Sequence, residues 1–264
     1  MVRESQVSNT KAGVGRSAVR TPFSGGTLSI IIPCYNERDT VLEILKRVKK
    51  VKIRGVTKEI IVIDDCSTDG TQEKLGRATG CTVLFNEKNM GKGFCIRRGI
   101  EESTGDIVVT QDADLEYDPN DYPLLLFPFV SEDVDIVYGS RELHPQNIKH
   151  AGPIFYAGGV FLTKLTNLLY GSSLTDQPTG YKVFRRAVFD RVHLTSNGFE
   201  FCSEVTAKVL NAGFTIVEVP IRYSPRSRQE GKKISWKDGI VGAWTLVRER
   251  VGGSEGRGCD IIQS

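Results

Sequence analysis

The sequence predicts an α/β protein built on a doubly wound, mostly parallel sheet. Two observations carry this expectation. From Leu28 onward, short β-branched runs alternate with stretches of helical apolar spacing, and the first four runs each end in a cluster of polar residues. In an open parallel sheet the ligand crevice lies outside the carboxyl ends of the strands, so those clusters are predicted to share one edge. With 264 residues, 39% apolar and 25% charged, the chain can bury the core of one large domain.

The elements follow in order. Residues 28–32 are predicted as the first strand, and Val41, Leu42, Ile44, Leu45 and Val48 then keep helical spacing, with Asn36 or Asp39 available as cap. The second strand covers 59–63, and Ser67 and Asp69 can cap a short helix beginning near Thr71. Residues 82–85 form the third strand, after which a glycine-flanked lysine at 91–93 opens a helix. Strands are further expected at 106–110 and 135–138, then a helix at 155–170, a short strand at 181–184, a helix at 201–210, a strand at 214–221 and a closing helix at 237–251. The domain is expected to span 27–251. The polar segment 1–26 lacks the apolar stretch of a secretory signal and is expected to be a disordered tail, and the glycine-rich segment 252–264 a flexible one.

Charge and cysteine usage narrow the class. Thirty-five basic residues against 32 acidic ones leave a net charge of +3, which without a clustered basic face gives no reason to expect nucleic acid. The six cysteines (Cys34, Cys66, Cys81, Cys95, Cys202 and Cys259) include no CxxC pair, so a reduced, cytoplasmic compartment is expected. The most apolar stretches, 154–170 and 240–251, are too interrupted by Gly, Thr, Lys or Arg to span a bilayer.

Four strand ends carry candidate chemistry. The first reads Pro33-Cys34-Tyr35-Asn36-Glu37, an aromatic ring and a carboxylate that together can hold a nucleoside. The second reads Asp64-Asp65-Cys66-Ser67, where Asp65 can accept from a base N–H or a ribose hydroxyl. Helix capping explains Ser67 and Asp69 but not two adjacent carboxylates, whose repulsion needs a ligand or a donor to offset it. After the third strand, Lys92 at a helix N-terminus suits a diphosphate. The fourth end, Asp112-Ala113-Asp114-Leu115-Glu116, places three carboxylates at alternating positions, on one side if the chain stays extended. Hard oxygen ligands of this kind suit Mg²⁺ or Mn²⁺. Taken singly, each motif is also explained by a turn or a solvated loop, and their succession along one edge is what weighs against that explanation.

In that order the motifs PxYNE, DDxSxDGT, NxGKG and GDIVxxxDADLE resemble the family 2 glycosyltransferases, which have the GT-A (nucleotide-diphospho-sugar transferase) fold, a Rossmann-like doubly wound sheet. Gly139-Ser140-Arg141, the stretch from Gly180 to Arg185, that from Phe199 to Lys208, and Glu230-Gly231-Lys232-Lys233-Ile234 extend the likeness to the polyprenyl-phosphate sugar synthases, the group that includes dolichol-phosphate mannose synthases. The resemblance implies a metal-dependent, inverting transferase. Its donor would be a nucleotide sugar of the GDP-mannose or UDP-glucose class and its acceptor a polyprenyl phosphate. It implies that Pro33, Tyr35, Glu37 and Asp65 surround the donor's nucleoside, and that Asp112, Asp114 and Glu116 hold Mg²⁺ or Mn²⁺ and the donor's diphosphate or ribose. Relatives often have Gln where Glu116 stands. Arg141, Arg226, Arg228, Lys232 and Lys233 match the basic residues that handle donor and lipid phosphates, with either arginine of Tyr223-Ser224-Pro225-Arg226-Ser227-Arg228 as counterpart of the family's one. Arg226 is read with Asp112 and Asp114 as the catalytic set.

A lipid acceptor implies a peripheral enzyme on the cytoplasmic face of a membrane. Apolar residues of 155–170 (Phe155, Val160, Phe161, Leu165, Leu168, Leu169, Tyr170), with Trp236 and Trp244, are candidates for an interfacial patch, or else for packing on the sheet or in a homodimer. A separate membrane protein is a further expected partner. Two other readings remain at this stage: transfer to a sugar or small-molecule hydroxyl, with Asp176, Glu200 or Glu204 as base, and a non-catalytic nucleotide-binding subunit, against which the acidic cluster argues.

Overall fold

A computed structural model describes residues 26–147, 153–226 and 235–252. Seven strands form one sheet in the order β3-β2-β1-β4-β6-β5-β7. The parallel half consists of β1 (Thr27–Cys34), β2 (Thr57–Asp64), β3 (Thr82–Phe85) and β4 (Ile107–Thr110). β6 (Lys182–Arg185) runs antiparallel between β4 and β5 (Ile136–Ser140), and β7 (Ile216–Pro220) is parallel to β5. The chain winds outward from β1 on one side through β2 and β3, and on the other through β4. The expected doubly wound, mostly parallel sheet is therefore present, and its switch point falls between β1 and β4, where the adjoining strand ends leave room for a ligand.

Alternation along β1 explains the two layers. Leu28, Ile30 and Ile32 point into one core with Val41, Ile44, Leu45 and Val48 of α1 (Val41–Lys50), while Ile31 points into the other with Cys95, Ile96 and Ile100 of α3 (Lys92–Glu102). The second core also takes Phe201, Val205 and Val209 of α6 (Phe201–Asn211). On that side α5 (Pro153–Tyr170) and α7 (Trp236–Gly252) pack together around Leu162, Ala207 and Leu246, and the Tyr170 hydroxyl donates to the Leu246 carbonyl at 2.6 Å. Among the described residues no helix is long and apolar enough to cross a membrane.

Local departures from the sequence reading have local causes. Neither Asn36 nor Asp39 caps α1: its N-cap is Thr40, and Asn36 Oδ1 instead accepts from the Thr68 amide at 2.8 Å, tying the ends of β1 and β2 together. α2 (Thr71–Leu75) starts after Gly70 in the left-handed region, but Asp69 does satisfy its first turn by accepting from both the amide and the hydroxyl of Thr71. Between β4 and β5 the structure adds α4 (Tyr122–Leu126), flanked by 3₁₀ turns at Pro119–Asp121 and Phe127–Val130. Pro119, Pro123 and Pro128 divide that stretch into single turns, because proline suits the first positions of a helix and not its interior.

α3 lies against β1 and β2 at Gly99, where an added Cβ would strike the Ile31 side chain and come within 2.9 Å of Ile63 Cδ1. An alanine in mid-helix ordinarily gains about 0.5–1 kcal/mol over glycine. Here overpacking reverses the sign: Gly99→Ala is expected to lower unfolding stability by about 1–2 kcal/mol, measured by chemical denaturation. An increase would show that α3 can retreat from the sheet.

Candidate active site

The ends of β1, β2, β4 and β5 meet around one cavity of about 780 Å³. β1 contributes Pro33, Tyr35 and Glu37, β2 contributes Asp65, the first turn of α3 contributes Lys92, β4 leads into Asp112, Asp114 and Glu116, and β5 into Arg141; Arg226 joins them from the loop after β7. The described residues assigned from the sequence to the donor, the metal and the acceptor phosphate thus line a single crevice, whereas Glu200 and Glu204 do not line it. Arg228, Lys232 and Lys233 lie outside the described residues.

The backbone is bent at this edge. Among the described residues the non-glycine positions with positive φ are Asn36 (49°), Cys66 (61°) and Leu115 (67°), one just beyond each of β1, β2 and β4. Such conformations cost free energy and tend to collect where side chains must be aimed at a ligand. Leu115 also corrects the extended alternation expected for the acidic cluster: the chain turns after Thr110, and the three carboxylates part company. Asp112 pairs with Lys92 at 2.5 Å, and Asp114 with Arg226 at 3.2 Å. Glu116 turns toward the loop after β7, accepting from the Tyr223 hydroxyl at 2.8 Å and the Arg226 amide at 2.9 Å. Among the described residues no three His, Cys, Asp or Glu side chains form a ready-made metal cage.

The chemistry of the donor set nevertheless fits a divalent ion. Burial, followed by the neighbouring charges of Asp112 and Glu116, pushes the Asp114 carboxyl up to about 7 even with Arg226 beside it. Added positive charge would relieve that crowding. Asp112 and Asp114 can supply two hard oxygens, and Mg²⁺ or Mn²⁺ ordinarily takes much of its remaining shell from phosphates and water.

The other groups show how the crevice is built. Asp65 is 3% exposed and its carboxylate accepts from Asn86 Nδ2 (2.7 Å), the Met90 amide (2.8 Å) and the Gly91 amide (2.7 Å), so besides lining the cavity it fixes the loop that delivers Lys92. The two glycines around Lys92 have a packing reason: a Cβ on Gly93 would stand 2.6 Å from the Ser196 carbonyl oxygen, and one on Gly91 would strike that of Asn197. Burial works against the charge of Lys92, but Asp112, Cys202 and Asp114 together more than offset it, so the lysine keeps its proton firmly. Arg141 forms a forked pair with Asp176, Nε to Oδ2 and Nη2 to Oδ1, both at 2.7 Å, and its guanidinium lies over the Tyr223 ring.

Several residues that support the site are given no individual role by the sequence. Gln111 is fully buried, and its Oε1 accepts from the hydroxyls of Tyr122 and Tyr181, each at 2.7 Å. Gly180 lets Asp112 approach: a Cβ there would meet Asp112 Oδ2 at 2.6 Å, and its amide donates to the Tyr117 hydroxyl. These partners are brought together from positions up to 70 residues apart.

Known proteins resemble this chain in sequence and in fold. The family model described as Glycosyl transferase family 2 matches residues 29–192. The chain is similar to the low-salt glycan biosynthesis hexosyltransferase Agl6 of Haloferax volcanii, with 31% identity over 84% of this chain and 52% of that protein. It is also similar to the dolichol-phosphate mannosyltransferase of Pyrococcus furiosus, with 30% identity over 78% of this chain and 58% of that protein. The chain therefore spans little more than half the length of these two relatives. Among solved structures, glucosyl-3-phosphoglycerate synthase from Mycobacterium tuberculosis, in complex with Mn²⁺, uridine diphosphate and glucosyl-3-phosphoglycerate, superposes with a TM-score of 0.65 at 20% identity, covering 91% of this chain and 82% of that one. Mannosyl-3-phosphoglycerate synthase from Rubrobacter xylanophilus gives 0.65 at 22% identity, covering 90% and 77%. At such identities the likeness speaks for the fold, which is the GT-A fold expected from the sequence.

Beneath the crevice sits Lys182, 1% exposed, donating to the Gln177 carbonyl at 2.7 Å with its ammonium 3.5 Å from the centre of the Tyr138 ring. Burial lowers it to about 8 from an ordinary value of 10.5. Between those values the unfolded chain holds a proton that the folded chain has released, so this lysine makes folding more favourable as pH rises through that window. Lys182→Met removes the effect. The difference in unfolding free energy, wild type minus Lys182→Met, is expected to rise from pH 8 to pH 10.5, followed by urea denaturation; a flat difference would mean that the ammonium is better solvated than its burial indicates.

Proposed function

Because the chain belongs to glycosyl transferase family 2, we propose that it moves a sugar from a nucleotide-diphospho-sugar to a polyprenyl phosphate at a membrane surface, with inversion at the anomeric carbon. Mannose or glucose is the sugar favoured by the resemblance, and GDP or UDP the leaving group. The observation that carries the lipid acceptor is the continuity of the cavity. The same space that reaches Asp112, Asp114 and Arg226 runs on between α5 and α7 past Gly158, Gly159, Leu162, Trp236, Gly239 and Ile240. A charged crevice opening onto a small-residue apolar groove suits a molecule with a phosphate head and a hydrocarbon tail. The rim of that groove is exposed and apolar, with Phe161 57%, Trp236 62%, Ile240 60% and Trp244 64% accessible, which supports a face set against a bilayer.

In this reaction an oxygen of the acceptor phosphate forms a bond to the anomeric carbon as the bond from that carbon to the donor's diphosphate breaks, and the electron pair leaves with the nucleoside diphosphate. A divalent ion held by Asp112 and Asp114 would neutralise that departing charge. The chain's own part is to bring two anions together. Lys92 at the start of α3 and Arg226 at the crevice mouth supply positive charge on either side of the acidic pair. Phosphate is already ionised at neutral pH, so attack requires no strong base, and among the described residues no histidine lines the cavity.

Of the three carboxylates considered as bases for a hydroxyl acceptor, Glu200 and Glu204 do not line the cavity and Asp176 has another partner. Asp176 is locked by Arg141. Glu204 accepts from Thr195 and Ser196 amides, the Thr195 hydroxyl and Lys208, which together hold it down at about 2 despite burial. Glu200 accepts from the Gly198 amide at 2.9 Å. This supports the phosphate over the hydroxyl.

The test is a transfer assay with purified protein, vesicles carrying polyprenyl phosphate, GDP-mannose or UDP-glucose, and Mn²⁺ or Mg²⁺. Sugar is expected on the lipid phosphate, with loss of transfer in EDTA; transfer only to hydroxyl acceptors would overturn the proposal. In a vesicle co-sedimentation assay without acceptor, Trp236→Ala with Trp244→Ala is expected to release about tenfold more protein, as two buried indoles contribute roughly 1–2 kcal/mol net at an interface.

A further inference from the structure

Three carboxylates of the crevice converge on one cation that the chain itself supplies. Arg226 Nη1 lies 3.0 Å from Glu37 Oε2 and Nη2 lies 3.1 Å from Glu37 Oε1, a forked pair across the end of β1. Nη2 also reaches Asp114 Oδ2 at 3.2 Å, and Nε stands 4.0 Å from Glu116 Oε1. The backbone is fastened at the same place: Ser224 donates its amide to the Glu116 carbonyl at 2.9 Å, Arg226 donates its own amide to Glu116 Oε1, and Tyr223 forms an isolated bridge with Tyr117. The Arg226 side chain is only 16% exposed, and its guanidinium bridges the end of β1 and the turn after β4.

We propose that Arg226 is an exchangeable cation, holding the carboxylate crevice closed until a divalent ion takes Asp114 from it. The inference rests on the reading of the crevice as a divalent-ion and donor site. One guanidinium carries a single charge among three carboxylates, so a divalent ion brought in with a diphosphate is the better match for Asp114. Displaced from Asp114, the arginine stays beside Glu37 at the mouth of the crevice, where the acceptor's phosphate must arrive. The exchange thus imposes an order. The arginine becomes available to the acceptor phosphate only after the donor side is filled, which keeps the acceptor from entering ahead of the donor.

The order has a cost that is directly measurable, because the ion must compete with Arg226. Titration of Mn²⁺ into the full chain, followed by electron paramagnetic resonance of the free ion and without donor or acceptor, is expected to show at least fivefold tighter binding for Arg226→Ala than for the parent. Arg226→Gln, which keeps a shorter polar side chain with an amide donor but no charge, is expected to bind more tightly as well. Circular dichroism and thermal unfolding of both variants confirm that the fold is retained. Equal or weaker Mn²⁺ binding by both folded variants overturns the gate while leaving the donor-site reading intact. Failure of parent and variants alike to bind Mn²⁺, with GDP or UDP present as well as without, overturns the donor-site reading and the gate together.

Discussion

Like charges cannot be gathered at the end of a strand without something to offset them, and this crevice gathers them from two strands at once. Glu37 follows β1, and Asp112, Asp114 and Glu116 follow β4, its parallel neighbour. What offsets them is a pair of cations from distant parts of the chain, Lys92 on Asp112 and Arg226 across Glu37 and Asp114. Removing one partner of such a half-buried pair leaves the other's desolvation uncompensated. Every other feature of the site can be seen as serving that balance: Asp65 positions the loop that carries Lys92, and Glu116 anchors the loop that carries Arg226.

The fold makes this arrangement available through topology. Parallel strands from a switch point leave their carboxyl ends facing the same crevice, and the antiparallel β6 returns Gly180 and Tyr181 to the floor beside Asp112. The helices that follow β5 and β7 in the chain, α5 and α7, then extend the crevice into an apolar groove. Charge and hydrocarbon are thereby placed end to end in one cavity, the property on which the proposed acceptor depends.

Much of this was legible in the chain. The strands ending at Cys34, Asp64 and Thr110 announce themselves as β-branched runs, and beyond them Tyr35, Glu37, Asp65, Asp112, Asp114 and Glu116 do line the cavity. Periodicity could not reveal which charges meet. The Arg141–Asp176 fork, the contact of Arg226 with Glu37 across 189 residues, and the burial of Lys182 under the site are products of tertiary packing. The extended alternation expected of Asp112, Asp114 and Glu116 failed because Leu115 adopts a left-handed conformation, a strain that composition does not disclose. The glycines around Lys92, legible as a phosphate turn, also answer to close packing against residues 196–198.

The balance of charges couples nucleotide to ion: each should bind better in the other's presence, since the ion takes the carboxylates as the diphosphate takes the freed cations. Isothermal titration of GDP and UDP into the chain, with Mn²⁺ and in EDTA, for the parent and for Asp114→Ala, tests this most directly. The expected result is at least tenfold tighter binding of one nucleotide with Mn²⁺ in the parent, and loss of most of that gain in Asp114→Ala. Binding of the preferred nucleotide that is equally tight in EDTA, or a gain from Mn²⁺ that survives intact in Asp114→Ala, would contradict the assignment of this crevice as an ion-dependent donor site.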